Sequence, residues 1–213
     1  NPQLLGIVNS TSGNGHNSIH EMLVWGNYLI ENANTLSNKT IKVINISNPA
    51  SPVFVRNIIP SEPLWIHAMH IRGNRMFMSG WGTSSQRGRS EIYDISNLGT
   101  QAPTMLGFVE DPSPSVTAGN NMHSGWTSED GNYLYSARET NDGTGDVRVY
   151  NITNPAIPLL VRTVTMGQLG LNAVTPHNPV VMGNYLYVSW YQAGLQVFDI
   201  SDPADPKRLG QYD

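Results

Sequence analysis

The chain has 213 residues, enough to bury a sizeable core in one domain, and it carries a formal net charge of -4 with 13% charged residues. The absence of Lys/Arg clusters and of long apolar runs speaks against nucleic acid or anionic lipid as partner and against a membrane span in this chain. Zero cysteines exclude disulfides, thiolate metal sites, cysteine nucleophiles and covalently attached haem, and they fit an oxidising extracellular setting.

A repeat runs through the whole sequence. Four Gly-Asn pairs mark it, separated by 47, 58 and 52 residues: Gly26-Asn27, Gly73-Asn74, Gly131-Asn132 and Gly183-Asn184. Each copy ends in a matching pentamer, NISNP from Asn45, DISNL from Asp94, NITNP from Asn151 and DISDP from Asp199. The period is close to that of propeller blades, roughly 40 to 50 residues.

One repeat unit predicts four β-strands. In the last copy, apolar and polar residues alternate after the Gly-Asn turn, and the predicted strands are His177–Met182, Tyr185–Tyr191, Leu195–Ile200 and Lys207–Tyr212. Such a unit buries too little surface alone, but radial stacking of copies hides both of its faces. We therefore predict an all-β fold, a β-propeller of four-stranded antiparallel blades.

The blades are predicted in chain order at about residues 9–58, 59–109, 110–164 and 165–213. Residues 1–8, NPQLLGIV, are similar to the fourth strand of a unit, PKRLGQY, so they are expected to form the outer strand of a closing blade. Because four complete blades leave this strand surplus, the sequence predicts a single propeller domain that is part of a larger propeller.

Histidine recurs at one repeat position. His20, His67 and His177 each lie six residues before their Gly-Asn pair, and His123 lies eight before its own. All four are expected on the innermost strands, where they would converge on the propeller axis. They would hold a transition metal such as Zn or Cu, transfer protons, or line the channel by bridging neighbouring blades with hydrogen bonds. His16 and His70 lie outside this position.

Two groups of acidic residues are further candidates for a functional site, and each could instead have a purely structural role. Glu129 or Asp130 would orient His123, or both would occupy an exposed hairpin. Asp142 and Asp146 in NDGTGDV would hold Ca²⁺, or form a polar turn.

Aromatic side chains mark a possible ligand rim. They would bind a sugar or a peptide, or they would pack between blades. The candidates are Trp81, Trp126, Trp190 and Tyr191.

Four N-glycosylation sequons begin at Asn9, Asn38, Asn45 and Asn151. The last two fall where other repeats carry Asp94 and Asp199, so a side-chain oxygen is expected to cap the turn there. We expect any glycan on Asn9 or Asn38.

The repeat ending in GLQVFDISDPADP resembles the LVIVD-repeat β-propellers. HSGWTSEDGNYLY, from His123 to Tyr135, is similar to the HxGWxTED motif of the choice-of-anchor B family, and the segment from Pro176 to Asp213 is similar to the elements that follow it there. The resemblance implies a secreted or cell-surface protein without a general catalytic activity. Ser124, Thr127 and the stretch Ser136–Glu139, which is less acidic here, depart from the family pattern.

These observations favour an extracellular or cell-surface, non-catalytic binding or assembly module, whose partner is a protein or glycan ligand. A metal-dependent enzyme that uses the histidine ring is the alternative. A structural subunit of a larger extracellular assembly is the third hypothesis.

Overall fold

The computed structural model describes residues 1–8, 19–33, 40–62, 64–112, 121–140, 144–172 and 175–212. The described part is built almost entirely from β-strands. These are β1 Ile19–Trp25, β2 Tyr28–Ala33, β3 Ile41–Asn45, β4 Val53–Ile58, β5 Trp65–Arg72, β6 Arg75–Trp81, β7 Arg89–Asp94, β8 Thr104–Glu110, β9 Ser124–Thr127, β10 Tyr133–Arg138, β11 Asp146–Asn151, β12 Leu159–Thr165, β13 Pro179–Met182, β14 Tyr185–Ser189, β15 Leu195–Asp199 and β16 Lys207–Tyr212.

The strands form four antiparallel sheets in the described residues. Each sheet contains four consecutive strands in sequence order: β1–β4, β5–β8, β9–β12 and β13–β16. The first strands of neighbouring sheets contact each other in the order β1, β5, β9, β13. The prediction of a β-propeller with four-stranded antiparallel blades is therefore confirmed.

The Gly-Asn pairs make the turns between the first two strands of each sheet. All four glycines have positive φ, with values of 56°, 58°, 72° and 58° at Gly26, Gly73, Gly131 and Gly183. Glycine adopts this left-handed conformation without a steric penalty. The asparagine after each glycine accepts a backbone hydrogen bond of 2.8–2.9 Å from the isoleucine of the pentamer, at Ile46, Ile95, Ile152 and Ile200.

The predicted cap after each third strand is confirmed. The side-chain Oδ1 of Asn45 and Asp94 accepts the backbone N–H two residues later at 2.8 Å in both cases. Asn151 and Asp199 do the same at 3.0 and 2.8 Å. Asn and Asp exchange at this position because both supply the oxygen acceptor. Asn9 and Asn38 lie outside the described residues, as does His16.

The apolar core lies between adjacent sheets. Ile30 and Val43 of the first sheet pack with Met69 and Met76 of the second. The equivalent layer between the second and third sheets includes Phe77 and Leu134, and the layer between the third and fourth includes Tyr135, Val188 and Trp190. Each blade therefore hides an apolar face against the next blade, as the repeat pattern predicts.

Residues 1–8 lie against the first blade but are not assigned to a strand. A Cβ on Gly6 would lie 2.2 Å from the carbonyl oxygen of Pro49, and a Cβ on Gly107 in β8 would lie 1.8 Å from that of Pro155. The two glycines thus make the same contact with the pentamer proline of the following blade. Strand pairing for residues 1–8 is absent from the described residues, so their role as the outer strand of a closing blade stays a prediction.

Two short helical turns were not expected. Met166–Leu169 forms one turn of α-helix, capped by Thr165 and Gly170, and Tyr191–Ala193 forms a 3₁₀ turn. The predicted strand Tyr185–Tyr191 therefore ends at Ser189, because Tyr191 has a φ of 37° that a strand does not accommodate. Among the described residues, helices with the length and apolar character needed to cross a membrane are absent.

Candidate metal centre

The four repeat histidines lie side by side in a continuous row. The ring centroids are 4.1 Å apart for His20 and His67, 4.0 Å for His67 and His123, and 4.4 Å for His123 and His177. His20 and His67 belong to β1 and β5, and His123 and His177 shortly precede β9 and β13. The row arises because equivalent positions on the contacting first strands of successive blades lie next to each other.

His123 is fixed by the blade that follows it. The side chain is fully buried, and Nδ1 lies 3.2 Å from the backbone carbonyl oxygen of His177. A carbonyl oxygen only accepts, so Nδ1 carries the proton and Nε2 of the neutral ring carries a lone pair. The hydroxyl of Ser124 donates to the same carbonyl oxygen at 2.6 Å.

Glu139 faces both His123 and His177. Its Oε2 lies 3.2 Å from Nε2 of His123, and its Oε1 lies 3.9 Å from Nε2 of His177. One ligand atom from each of the three residues lies within 4.8 Å of the others. Zinc ligands at about 2.0–2.2 Å in tetrahedral geometry are about 3.3–3.6 Å apart, so this spacing is close to that of a metal site.

The electrostatics of the cluster favour a cation at its centre. Nε2 of His123 is buried without a hydrogen-bond partner in the described part of the chain, yet a carboxylate oxygen lies 3.2 Å away. Two lone-pair atoms this close repel each other inside a protein. A divalent ion between them would replace that repulsion by two coordination bonds, which is the chemistry of imidazole and carboxylate ligands.

Burial keeps the inner histidines neutral. It lowers the pKa of His123 to about 3, with a further contribution from the neighbouring His67 and His177. Burial likewise lowers the pKa of His67 to about 4, assisted by His20 and His177. Neutral imidazoles are the form that binds metals, so the row does not need to lose protons at neutral pH.

A cavity of about 200 Å³ adjoins the cluster. It is lined by His20, Glu21, His67, Ala68, Glu139, His177 and Asn178. Glu21 accepts a hydrogen bond from the backbone N–H of Met69, and burial raises its pKa to about 7. The cavity therefore brings a second carboxyl group, which exchanges its proton near neutral pH, to the same site.

Sequence reasoning missed Glu139 and Glu21. Glu139 lies eight residues after Gly131, which is the repeat position that Trp81 and Tyr191 occupy after Gly73 and Gly183. The counterparts are aromatic, so comparison across repeats gives no signal for a carboxylate at this position. Glu21 directly follows His20 in β1, where strand alternation predicts opposite faces, and the irregular register between Ile19 and Met22 has no signal in the sequence.

The four candidate rim aromatics do not share one surface. Trp190 is fully buried in the layer between the third and fourth sheets, so its side chain is part of the core. Trp126 packs on His70 with ring centroids 4.2 Å apart, and Trp81 stacks on His67 at 5.7 Å. Tyr191 is half exposed, and its ring stands edge-on to His177 at 5.6 Å.

The acidic residues near His123 in sequence have other partners. Glu129 pairs with Arg72 of the second blade at 2.8 Å and accepts the backbone N–H of Gly183 in the fourth blade at 3.3 Å. Asp130 accepts bonds from Ser128 and Asn132 in its own hairpin. Neither orients His123; Glu139 is the carboxylate beside it.

Asp146 of the NDGTGDV segment contacts arginine side chains, and the Ca²⁺ hypothesis for this segment stays a prediction. This carboxylate is buried in β11 and contacts the guanidinium groups of Arg148 at 3.1 Å and Arg138 at 3.4 Å. Both arginines also contact the buried Asp111, so two carboxylates and two guanidinium groups form one cluster. Asp142 lies outside the described residues.

Comparison with known proteins agrees with this architecture. A model of the LVIVD repeat matches residues 35–59 and 178–213. None of the curated protein sequences matches the chain.

Solved structures with low sequence identity share the fold. The computationally designed Ika8 protein is similar at 16% identity and a TM-score of 0.58, over 93% of this chain and 50% of its own. A periplasmic gluconolactonase from Pseudomonas aeruginosa is similar at 15% identity and a TM-score of 0.62, over 88% and 54%. The β-propeller domain of Cps50 from Myceliophteria thermophila is similar at 9% identity and a TM-score of 0.55, over 88% and 55%.

The chain spans about half the length of these three proteins. At these identities the likeness concerns the fold alone, and it is the same fold that the sheet order shows. The chain therefore carries LVIVD repeats on a β-propeller arrangement of four-stranded blades.

Proposed function

We propose that this propeller is a binding module that holds a divalent transition metal ion through His123, His177 and Glu139. The observation that supports it is the pair of facing acceptor atoms, Nε2 of His123 and Oε2 of Glu139, at 3.2 Å. Two histidines and one carboxylate form a ligand set that suits Zn²⁺ and Fe²⁺ and leaves coordination positions open. His67 and His20 continue the row beside this site.

Zinc titration of metal-free protein is the direct test. Isothermal titration calorimetry should show one Zn²⁺ per chain. Glu139→Gln keeps the shape of the side chain but removes the charged ligand, so Zn²⁺ affinity should fall by more than about 100-fold, beyond the 10–100-fold effect of outer-sphere partners.

Glu129→Gln is the matched control. This carboxylate also contacts a neighbouring blade, but it lies outside the histidine cluster. Its Zn²⁺ affinity should equal that of the wild type. Equal affinity in the Glu139→Gln variant, or the absence of stoichiometric Zn²⁺ uptake by the wild type, would show that the cluster is not a metal site.

An extracellular or cell-surface location belongs to the same proposal. The LVIVD repeats, the similarity to the choice-of-anchor B motif around His123 and the lack of cysteines support it. Protease shaving of intact source cells, followed by peptide mass spectrometry, tests it; protection of the protein until the cells are lysed would contradict the proposal. A protein or glycan partner and a role in an extracellular assembly stay predictions.

Catalysis by the metal also stays a prediction, and one observation favours it. Glu21 lines the cavity that adjoins Glu139 and His177, and its pKa of about 7 suits general acid–base work. If the site hydrolyses small esters, Glu21→Gln should abolish turnover while Zn²⁺ binding is retained. Unchanged turnover in that variant would exclude Glu21 from the reaction.

A further inference from the structure

A groove opens beside the proposed metal centre. It has a volume of about 400 Å³ and is lined by His177, Ser189, Trp190, Tyr191, Gly194 and Leu195. This volume lies within the range of about 300–1,000 Å³ that is typical of small-molecule sites. His177 belongs both to the groove and to the metal-ligand cluster, so a molecule in the groove would reach an ion held by the cluster.

Tyr191 stands between the groove and the ligand cluster. Among the described residues it is the one non-glycine with positive φ, at 37°. A conformation of this kind costs about 1–3 kcal/mol and occurs preferentially at functional sites. The hydroxyl group donates to Oε1 of Glu139 across the blade interface, and the ring stands edge-on to His177.

The charge balance of the site selects for an anion once metal is bound. A divalent ion held by two imidazoles and the Glu139 carboxylate would leave one net positive charge on the ligand set, because metals bind histidine in its neutral form. Without the ion, the carboxylates Glu139 and Glu21 face the shared cavity and repel anions. The residues that line the groove itself add no acidic side chain.

We propose that the groove binds small carboxylates that carry an apolar body. One carboxylate oxygen would take an open coordination position of the metal, and the Tyr191 hydroxyl would turn its single hydrogen from Glu139 to the other oxygen. The Tyr191 ring and Leu195 would contact the apolar body, as aromatic and aliphatic walls do in such sites. This inference rests on the proposed metal site and names the ligand class for it.

Benzoate and benzamide form a matched pair of probes, because they share a shape and differ in charge. Co²⁺-loaded protein should bind benzoate at least 10-fold more tightly than benzamide in calorimetry. Benzoate should also change the visible d–d spectrum of the Co²⁺, since its coordination changes. The metal-free protein should not bind benzoate.

Tyr191→Phe keeps the ring and removes the donor. Benzoate affinity of the Co²⁺ form should fall about 10-fold, the usual effect of losing a hydrogen bond to a charged group. Tyr185→Phe, an exposed tyrosine of the same blade outside the groove, should leave it unchanged.

Equal binding of benzoate and benzamide, benzoate binding by metal-free protein, or an unchanged affinity in Tyr191→Phe would each overturn the inference. If Co²⁺ binds and benzoate does not, the carboxylate site fails while the metal site stands. If Co²⁺ itself does not bind, the proposed function fails as well.

Discussion

His70 is a buried histidine between the second and third blades. It is 5% exposed, its Nε2 lies 2.9 Å from Oγ1 of Thr127, and burial lowers its pKa to about 3. Its pKa in the folded chain is thus below the ordinary value of 6.5. As the pH falls below about 6.5, the unfolded chain takes up a proton that the folded chain does not.

The free energy of unfolding should therefore decrease on acidification, by about 1.4 kcal/mol per pH unit for each such histidine. His67 and His123 act in the same direction, whereas Glu21, whose pKa burial raises to about 7, opposes them. Urea unfolding at pH 7 and pH 4.5 measures this decrease in the free energy of unfolding. In His70→Gln, the decrease should be smaller by the contribution of one histidine. Parallel pH curves for variant and wild type would show that the His70 ring is not held neutral by the fold.

The role of a single side chain could be predicted from the sequence where the same residue type recurs in several repeats. The cap at Asn45 was predictable because Asp94 and Asp199 occupy the same position with the same acceptor oxygen. Glu139 was not found, because its counterparts Trp81 and Tyr191 are aromatic and give no indication of a carboxylate. The proximity of Glu139 to His123 depends on how two blades pack, which spacing along one chain does not specify.

The outer strands offer a matched test of the blade interface. Gly107 of β8 and Gly210 of β16 occupy the same repeat position. A Cβ on Gly107 would lie 1.8 Å from the Pro155 carbonyl oxygen, whereas a Cβ on Gly210 would have no atom of the described chain within 4 Å. Gly107→Ala should destabilise the fold by about 1–3 kcal/mol through this overlap.

Gly210→Ala is the control and should be neutral, or stabilising by up to about 1 kcal/mol, because alanine restricts the unfolded chain. Thermal and urea unfolding of the two variants provide the comparison. Equal stability of both variants would mean that the backbone at Pro155 shifts to accommodate the added methyl group without a loss of stability.

Strand order followed from the sequence, while the end of β14 did not. Alternating residues and Gly-Asn turns predict the hairpins of each blade, and the structure shows them. The segment after β14 turns instead of continuing, because Tyr191 adopts left-handed backbone geometry in the 3₁₀ turn. A tyrosine at a strand end carries no sequence signal for that conformation, since its side chain is a good strand former.

For the molecule as a whole, metal binding should couple the third and fourth blades. His123 and Glu139 come from the third repeat and His177 from the fourth. In repeat proteins each unit contacts chiefly its neighbours. Stabilising one interface between units therefore has little effect on the local stability of distant units. Zn²⁺ should therefore slow amide hydrogen exchange in β9 and β13 far more than in β1 and β2.

Global stabilisation should reach about 2.7 kcal/mol when the free Zn²⁺ concentration is 100 times the dissociation constant. Hydrogen exchange with mass spectrometry, with and without Zn²⁺, resolves the strands. Uniform protection of all four blades, or protection that persists in Glu139→Gln, would contradict this coupling.

The contact between Gly107 and the Pro155 carbonyl has a consequence for how the sequence can change over time. It joins two blades through main-chain atoms, and His67 and His123 meet across the same interface, 4.0 Å apart. Side chains in the apolar layer there, such as Phe77 and Leu134, can exchange for others of similar volume while this main-chain contact maintains the blade spacing. We therefore expect the spacing of the histidine row to be retained when core residues at this interface are replaced by others of similar volume.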